Sequence, residues 1–253
     1  MANIGFVGCG NMGGALIKAL LNNSENIINI FDTNTALASS FDGAFVKNSI
    51  DELKACDYIF VTVKPQVYPA VLGLLSDFNK TLITVAPGFT TQKIAEYVKD
   101  ARIVRTMPNT PALVGEGVFL VACDTGKEGE YTDIKELLSC AGEVFLIPEK
   151  LMDTGVALSG SSPAMVYMLI DAMASAACEG GFSKTQAIEI AAKTVLGSAK
   201  MVLETGAHPS ILCDNVCSPG GTTIAMVNEL EEKGFKSAAV SSMKKCADKA
   251  SKM

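Results

Sequence analysis

Short apolar runs and helix-period stretches alternate along the first 148 residues. Asn3–Val7, Ile27–Phe31, Tyr58–Val63, Thr81–Val85, Arg102–Thr106, Gly117–Cys123 and Val144–Ile147 read as strands. Helices are predicted between several of them, including Gly13–Leu21 and Ser49–Cys56. Tyr58–Val63 is apolar almost throughout, the pattern of a strand in the middle of a parallel sheet covered on both faces. The alternation predicts an α/β fold with a doubly wound sheet.

Beyond Pro148 the pattern becomes helical throughout. Ser162-Pro163 reads as an N-cap followed by proline at the first helical position, opening a helix over Ala164–Glu179 that Gly180-Gly181 stops. Ser183 and Gln186 match a capping box for a long helix to Glu204, which Gly206 and Pro209 break. Two further helices are predicted over Gly220–Lys233 and Lys236–Ser251. The boundary is therefore placed at residue 148, between an α/β domain over 1–148 and an all-α domain over 149–253. Ala164–Glu179 carries charge only at Asp171 and Glu179, so it needs burial on several sides. A helical half of this size cannot bury such a helix alone, which predicts a homodimer formed through the helical halves.

Charge and cysteine usage narrow the partners. A net charge of −6 argues against nucleic acid or an anionic membrane as the main partner. No apolar run reads as long enough to span a bilayer, and the first one leads straight into a glycine-rich turn without the basic flank of a signal peptide. Eight cysteines are scattered without a C-x-x-C pair, and His208 is the only histidine, so no metal site is expected. That scatter fits free thiols in a reducing, cytoplasmic compartment. Cys213 and Cys217 are either reactive thiols or small apolar filler.

Three features carry candidate chemistry. Gly8-Cys9-Gly10-Asn11-Met12-Gly13 fits G-x-G-x-x-G between a strand and a helix, the context in which that motif marks a Rossmann-type dinucleotide site. Gly8 would make the tight turn, Gly10 would admit a pyrophosphate, and Gly13 would let the helix pack on the strand. Asp32 ends the second strand, where a carboxylate accepts from both ribose hydroxyls of NADH and repels the 2′-phosphate of NADPH. Its alternative role is a turn or cap residue. Val63-Lys64-Pro65-Gln66 and Ala86-Pro87-Gly88 follow further strands, as does Arg105–Pro111, in which Asn109 is a candidate partner for nicotinamide or substrate. Lys64 is either catalytic, a solvated loop residue or a structural hydrogen-bond donor.

Near the end of the chain, Asp214–Thr223 reads as a tight loop opening a helix, with Pro219 in the first helical turn. Gly220 and Gly221 allow close approach of a ligand, and Thr222 and Thr223 add hydroxyls, which makes a site for a small carboxylate. His208 is a candidate acid or a turn and capping residue.

With these segments in view, the chain resembles the pyrroline-5-carboxylate reductase family over essentially its whole length. Gly5–Met12, Val63–Gln66, Arg105–Pro111, Ser159–Ala164, and His208-Pro209 followed by Asp214–Thr223 carry the resemblance. It implies hydride transfer from NADH or NADPH to the C=N carbon of a cyclic imino acid, giving L-proline. It also implies a helical domain that binds substrate and dimerises, sometimes into larger rings. By resemblance, Val216, Ser218, Gly220, Gly221, Thr222 and Thr223 contact substrate, with Thr223 near the ring nitrogen. Gly8, Gly10, Asn11, Met12, Asp32, Asn48, Val63, Lys64, Pro65, Ala86, Gly88 and Asn109 are expected to contact the cofactor. Met165 stands where an aromatic commonly follows Pro-Ala, and Ser162 where glycine is usual. Two other readings stay open. One is a β-hydroxyacid dehydrogenase using Lys184, Lys193 or Lys200. The other is a non-catalytic nucleotide-binding relative.

Overall fold

The computed structural model of the chain describes residues 2–123 and 131–252. Its first part is an eight-stranded sheet of β1 (Asn3–Val7), β2 (Ile27–Phe31), β3 (Phe45–Val46), β4 (Tyr58–Val61), β5 (Thr81–Thr84), β6 (Arg102–Met107), β7 (Gly117–Cys123) and β8 (Gly142–Leu146). The spatial order is β3-β2-β1-β4-β5-β6-β7-β8. Strands β1 to β6 run parallel, β7 turns antiparallel to β6, and β8 runs parallel to β7. The predicted strands are all present, and β3, two residues long and exposed, is the one the hydrophobic pattern passed over.

Helices α1 (Asn11–Leu21), α2 (Thr35–Ala38), α3 (Tyr68–Leu74), α4 (Thr91–Ala95) and α5 (Thr132–Leu138) connect the strands. The predicted helix at Ser49–Cys56 shrinks to a 3₁₀ turn over Asp51–Ala55. Alternate strand residues serve opposite faces. Phe60, Ile83 and Val104 join Leu16 and Ile17 of α1 and Ile134 of α5 in one core. Ile59, Leu82 and Ile103 join Tyr68 and Leu72 of α3 and Ile94 of α4 in the other. Burial on both faces explains why Tyr58–Val61 shows no polar alternation.

From residue 149 the chain is helical. A turn at Glu149–Leu151, α6 (Met152–Gly155) and a π-helical turn at Val156–Gly160 lead into α7 (Ser162–Glu179). Ser162 is therefore inside a helix already under way rather than its N-cap. Its hydroxyl donates back to the Ala157 carbonyl at 2.7 Å. The merged stretch, Glu149–Glu179, is 31 residues and by length and composition apolar enough to cross a membrane. The sequence reading finds no run of that length because it starts the helix at Ser162-Pro163 and places none before it.

The remaining helices are α8 (Lys184–Thr205), α9 (Pro209–Val216), α10 (Thr222–Glu232) and α11 (Phe235–Ala250). Ser183 caps α8 by accepting from the Gln186 N–H at 3.4 Å, and Gly206 ends it with φ +63°. The chain forms two compact units, Met1–Pro163 with Lys244–Met253, and Ala164–Met243. Within the second unit, Lys184 at the start of α8 reaches Asp171 (2.7 Å) and Ser175 (3.0 Å) of α7. Many large apolar side chains of this unit face outward, among them Tyr167, Met168, Leu196, Met201 and Leu203.

In the first unit a buried ion pair joins three segments. Arg105 of β6, 3% exposed, donates to Glu149 at 3.2 Å and lies 3.7 Å from Asp153. Glu149 also accepts from the Thr91 N–H and hydroxyl, both at 2.8 Å, at the start of α4. The Arg105 Nε has no partner among the described residues, so the guanidinium depends heavily on this carboxylate. Glu149→Ala is expected to cost about 3 kcal/mol by stranding that buried charge. Urea denaturation checks this, and a loss under about 0.5 kcal/mol would contradict it.

Candidate active site

The glycine turn is built by close contact. Gly8 has φ +95°, and a Cβ there would lie 2.9 Å from Val63 Cγ1. A Cβ on Gly13 would lie 2.5 Å from the Gly8 oxygen and 2.6 Å from Thr62 Oγ1. The Thr62 hydroxyl in turn donates to the Gly8 carbonyl at 2.5 Å. Between the two, Gly10 caps α1 without a side chain, and no heavy atom lies within 4 Å of where its Cβ would stand. The first turn of α1 carries no acidic residue. These features fit a dinucleotide pyrophosphate: an open cradle at a helix start with its positive dipole end unoccupied by side chains.

Asp32, just past the end of β2, is anchored to this turn. Its Oδ2 accepts from the Cys9 N–H at 2.7 Å and the Cys9 thiol at 3.4 Å, and its Oδ1 accepts from the Asn34 N–H at 2.8 Å. Burial alone would raise the Asp32 pKa. The donated bonds of Asn34 and Cys9, with the Thr33 hydroxyl, outweigh it and hold the carboxyl below its ordinary value. Burial first, then the carboxylate, pushes the Cys9 thiol up to about 12. Asp32 is thus a charged turn residue, tied to the glycine turn through Cys9 and to its own turn through Asn34.

The strand order reverses between β1 and β4. Ligands bind such sheets at that point, outside the carboxyl ends of the strands. Gly8, Gly10, Asn11 and Met12 after β1, Asp32 after β2, Asn48 after β3, Val63, Lys64 and Pro65 after β4, and Ala86 and Gly88 after β5 all lie at those ends. Lys64 is exposed, consistent with a solvated loop residue. The Asn48 N–H donates to Glu52 at 3.0 Å while its side chain is exposed.

Asn109 behaves differently. Its Oδ1 accepts from the Val118 N–H at 2.9 Å, its Nδ2 donates to the Ser159 carbonyl at 3.2 Å, and it is 6% exposed. One bond at each end of the amide braces the loop after β6. Arg105–Met107, read as part of that loop, belong to β6 itself.

In the second unit, Ser218-Pro219-Gly220-Gly221 forms a β-turn, with the Gly221 N–H donating to the Ser218 carbonyl at 3.0 Å. Gly220 has φ +68°, as the third residue of a type II turn requires, and proline suits the second. Pro219 therefore shapes the turn and lies outside the helix, correcting its expected place in the first helical turn. Helix α10 begins at Thr222 with Gly221 as its cap and no side-chain bond to its first N–H groups. Thr223 is half-buried in that first turn, while Val216, Ser218, Gly220 and Thr222 are exposed.

His208 caps α9, its Nδ1 accepting from the Ser210 N–H at 3.2 Å. Desolvation and the neighbouring Cys213 raise the Cys217 thiol above its ordinary pKa, which weakens it as a nucleophile. The seven described cysteines are free, and the side chain of Cys123 lies outside the described set. No cluster of metal-ligating side chains occurs among the described residues. Tyr68 and Thr62 went unnoticed in the sequence. A lone tyrosine opening an apolar helix is the signal for the former, because a buried phenol needs a partner.

Three comparisons with known proteins complete the site. Residues 149–253 match a family described as pyrroline-5-carboxylate reductase dimerisation. Residues 3–88 match one described as NADP oxidoreductase coenzyme F420-dependent. A pyrroline-5-carboxylate reductase of Escherichia coli (strain K12) is 42% identical, the alignment covering 99% of this chain and 97% of that protein. The 1-pyrroline-5-carboxylate reductase structure from Streptococcus pyogenes superposes with a TM-score of 0.91 at 32% identity, covering 100% of this chain and 99% of that one. A Plasmodium falciparum pyrroline carboxylate reductase with NADP bound gives 0.89 at 29% identity, covering 99% and 97%.

The cradle invites a paired test. Gly10→Ala is expected to fold normally but weaken NADH binding at least about tenfold, because its methyl fills the open space. Gly13→Ala is expected to lose about 1–3 kcal/mol of stability, because its methyl meets backbone. Calorimetric titration and urea melts read the two effects, and the reverse pattern would contradict the cradle.

Proposed function

The chain belongs to the pyrroline-5-carboxylate reductase family, and from that premise we propose how its residues reduce the cyclic imine L-1-pyrroline-5-carboxylate to L-proline. The observation that carries the reading is the open cradle at Gly10, between a glycine turn and an uncapped helix start. Asn11 and Met12 offer backbone N–H groups to a pyrophosphate there, and Asp32 takes the ribose hydroxyls. Asn48, Val63–Pro65, Ala86 and Gly88 line the rest of the crevice. The nicotinamide cofactor supplies the hydride when bound.

The substrate carboxylate is held at the start of α10 by the N–H groups that follow Gly220 and Gly221. Val216, Ser218 and Thr222 frame it, and the Thr223 hydroxyl orients the ring nitrogen. An imine nitrogen protonated from solution makes its carbon a good hydride acceptor, so the protein needs no strong acid. Hydride on carbon and that proton on nitrogen give the secondary amine. His208 caps α9 through its Nδ1. The work of the chain is positioning.

The hydroxyacid dehydrogenase reading loses ground in the second unit. Of its three candidate lysines, Lys184 is bound to Asp171 and Lys200 lies 3.4 Å from Glu204, while Lys193 is exposed on α8. That reading also leaves the Ser218–Thr223 turn without a task.

Asp32 favours NADH, because an anchored carboxylate held in its charged form repels a 2′-phosphate. The outward apolar side chains of the second unit favour a homodimer that covers them. Free thiols favour a reducing, cytoplasmic setting.

With purified protein and L-1-pyrroline-5-carboxylate, NADH is expected to give about tenfold higher kcat/KM than NADPH, and Asp32→Ser to narrow that ratio. Thr223→Ala is expected to lower kcat/KM about tenfold or more. Absence of turnover with either cofactor would sink the assignment, and a preference for NADPH would sink the role of Asp32. Sedimentation at micromolar concentration is expected to give a dimer or a larger assembly, and a monomer alone would contradict the covered helical face.

A further inference from the structure

Resting on the crevice assigned above, we propose that Tyr68 is a positioning residue for the nicotinamide cofactor, its hydroxyl standing as an inserted rung between the ends of β4 and β5. In this parallel ladder the Thr81 N–H donates to the Asp57 carbonyl at 3.2 Å. Bonds from one strand to the next repeat every second residue. The Ile83 N–H is then due at Ile59, and the Val85 N–H at Val61. The register ends at the pair Val61 and Thr84. At the next rung the Val85 N–H donates to the Tyr68 hydroxyl at 3.4 Å, and that hydroxyl donates to the Val61 carbonyl at 2.6 Å. A side chain thus relays the bond the two backbones would have made directly, and holds the strand ends apart by the width of one oxygen.

The two loops so spaced are the ones assigned to the cofactor. Val63–Pro65 leaves β4 immediately after this rung, and Ala86–Gly88 leaves β5. Tyr68 is fixed from all sides. It is fully buried at the start of α3, and its ring lies 4.7 Å from that of Phe89, over which Lys93 sits at 4.4 Å. The ring packing holds the loop after β5 from one end while the hydroxyl holds it from the other. Without the hydroxyl, a donor and an acceptor lose their relay, and the strand ends must close up or admit water. Either changes the width of the crevice without touching the imino-acid site at α10.

The test compares wild type, Tyr68→Phe and Leu72→Val by NADH titration, read through cofactor fluorescence, with both KM values and Tm alongside. Tyr68→Phe is expected to raise the Kd and KM for NADH about three- to tenfold and leave the KM for the imino acid within about twofold. Leu72→Val, in the same core cluster but keeping the hydroxyl, is expected to lower Tm and leave the NADH Kd within about twofold. An unchanged Kd in Tyr68→Phe, or an equal shift in both variants, would overturn the proposal. Wild type binding neither NADH nor NADPH would instead overturn the crevice assignment. Amide exchange on the unaltered protein guards against a variant that fails to fold. The Val85 amide is expected to be protected and to gain protection with NADH, and exchange at loop rates in both states would overturn the relay.

Discussion

The contact of α1 with the ends of β1 and β4 governs the rest of this chain. Gly13 lies so close to the Gly8 oxygen and the Thr62 hydroxyl that no methyl fits between them. That approach fixes where α1 begins and aims its first N–H groups outward over the strand ends. It also leaves Cys9 and Gly10 on a short arch above the sheet. Asp32 then closes the arch by accepting from Cys9. One steric limit thus produces the opening at Gly10 and the placement of a charge beside it.

Charge and packing extend the same frame outward. The pair of Arg105 and Glu149 ties a central strand to α4 and to the beginning of the helical run. Asp133 does similar work at the other end of β6, binding Arg102 at 2.7 Å and the Tyr58 hydroxyl at 3.0 Å. Both pairs hold helices onto the sheet by side chains the core could not have specified by shape alone. In the second unit the apolar surplus is on the outside, and the matched family there is one of dimerisation. A helix as apolar as Glu149–Glu179 is stable in water only with protein over it.

The sheet was legible because its strands carry their own signal. Asn3–Val7, Ile27–Phe31 and Gly117–Cys123 occur with the bounds the apolar runs suggested. Phe45–Val46 escaped because two residues have no period. Ser162-Pro163 misled because N-cap chemistry is local, and a helix arriving from Met152 overrides it. Pro219 misled for the converse reason: Pro-Gly prefers a type II turn, which moved the helix start to Thr222. Among the candidate site residues, the glycine turn was legible from spacing. The two hydrogen bonds of the Asn109 amide were not, because a solvated loop and a braced one have the same sequence. The rung made by Tyr68 depends on the register of two strands, which no local pattern encodes.

The account stands on the cofactor lying across Gly10 with its ribose on Asp32. A crystal structure of the protein with NADH tests this most directly. The pyrophosphate should rest on the Asn11 and Met12 N–H groups. The ribose hydroxyls should reach the Asp32 carboxylate while its bond from the Cys9 N–H persists. Ribose hydroxyls pointing away from Asp32, or a pyrophosphate away from Gly10, would contradict it.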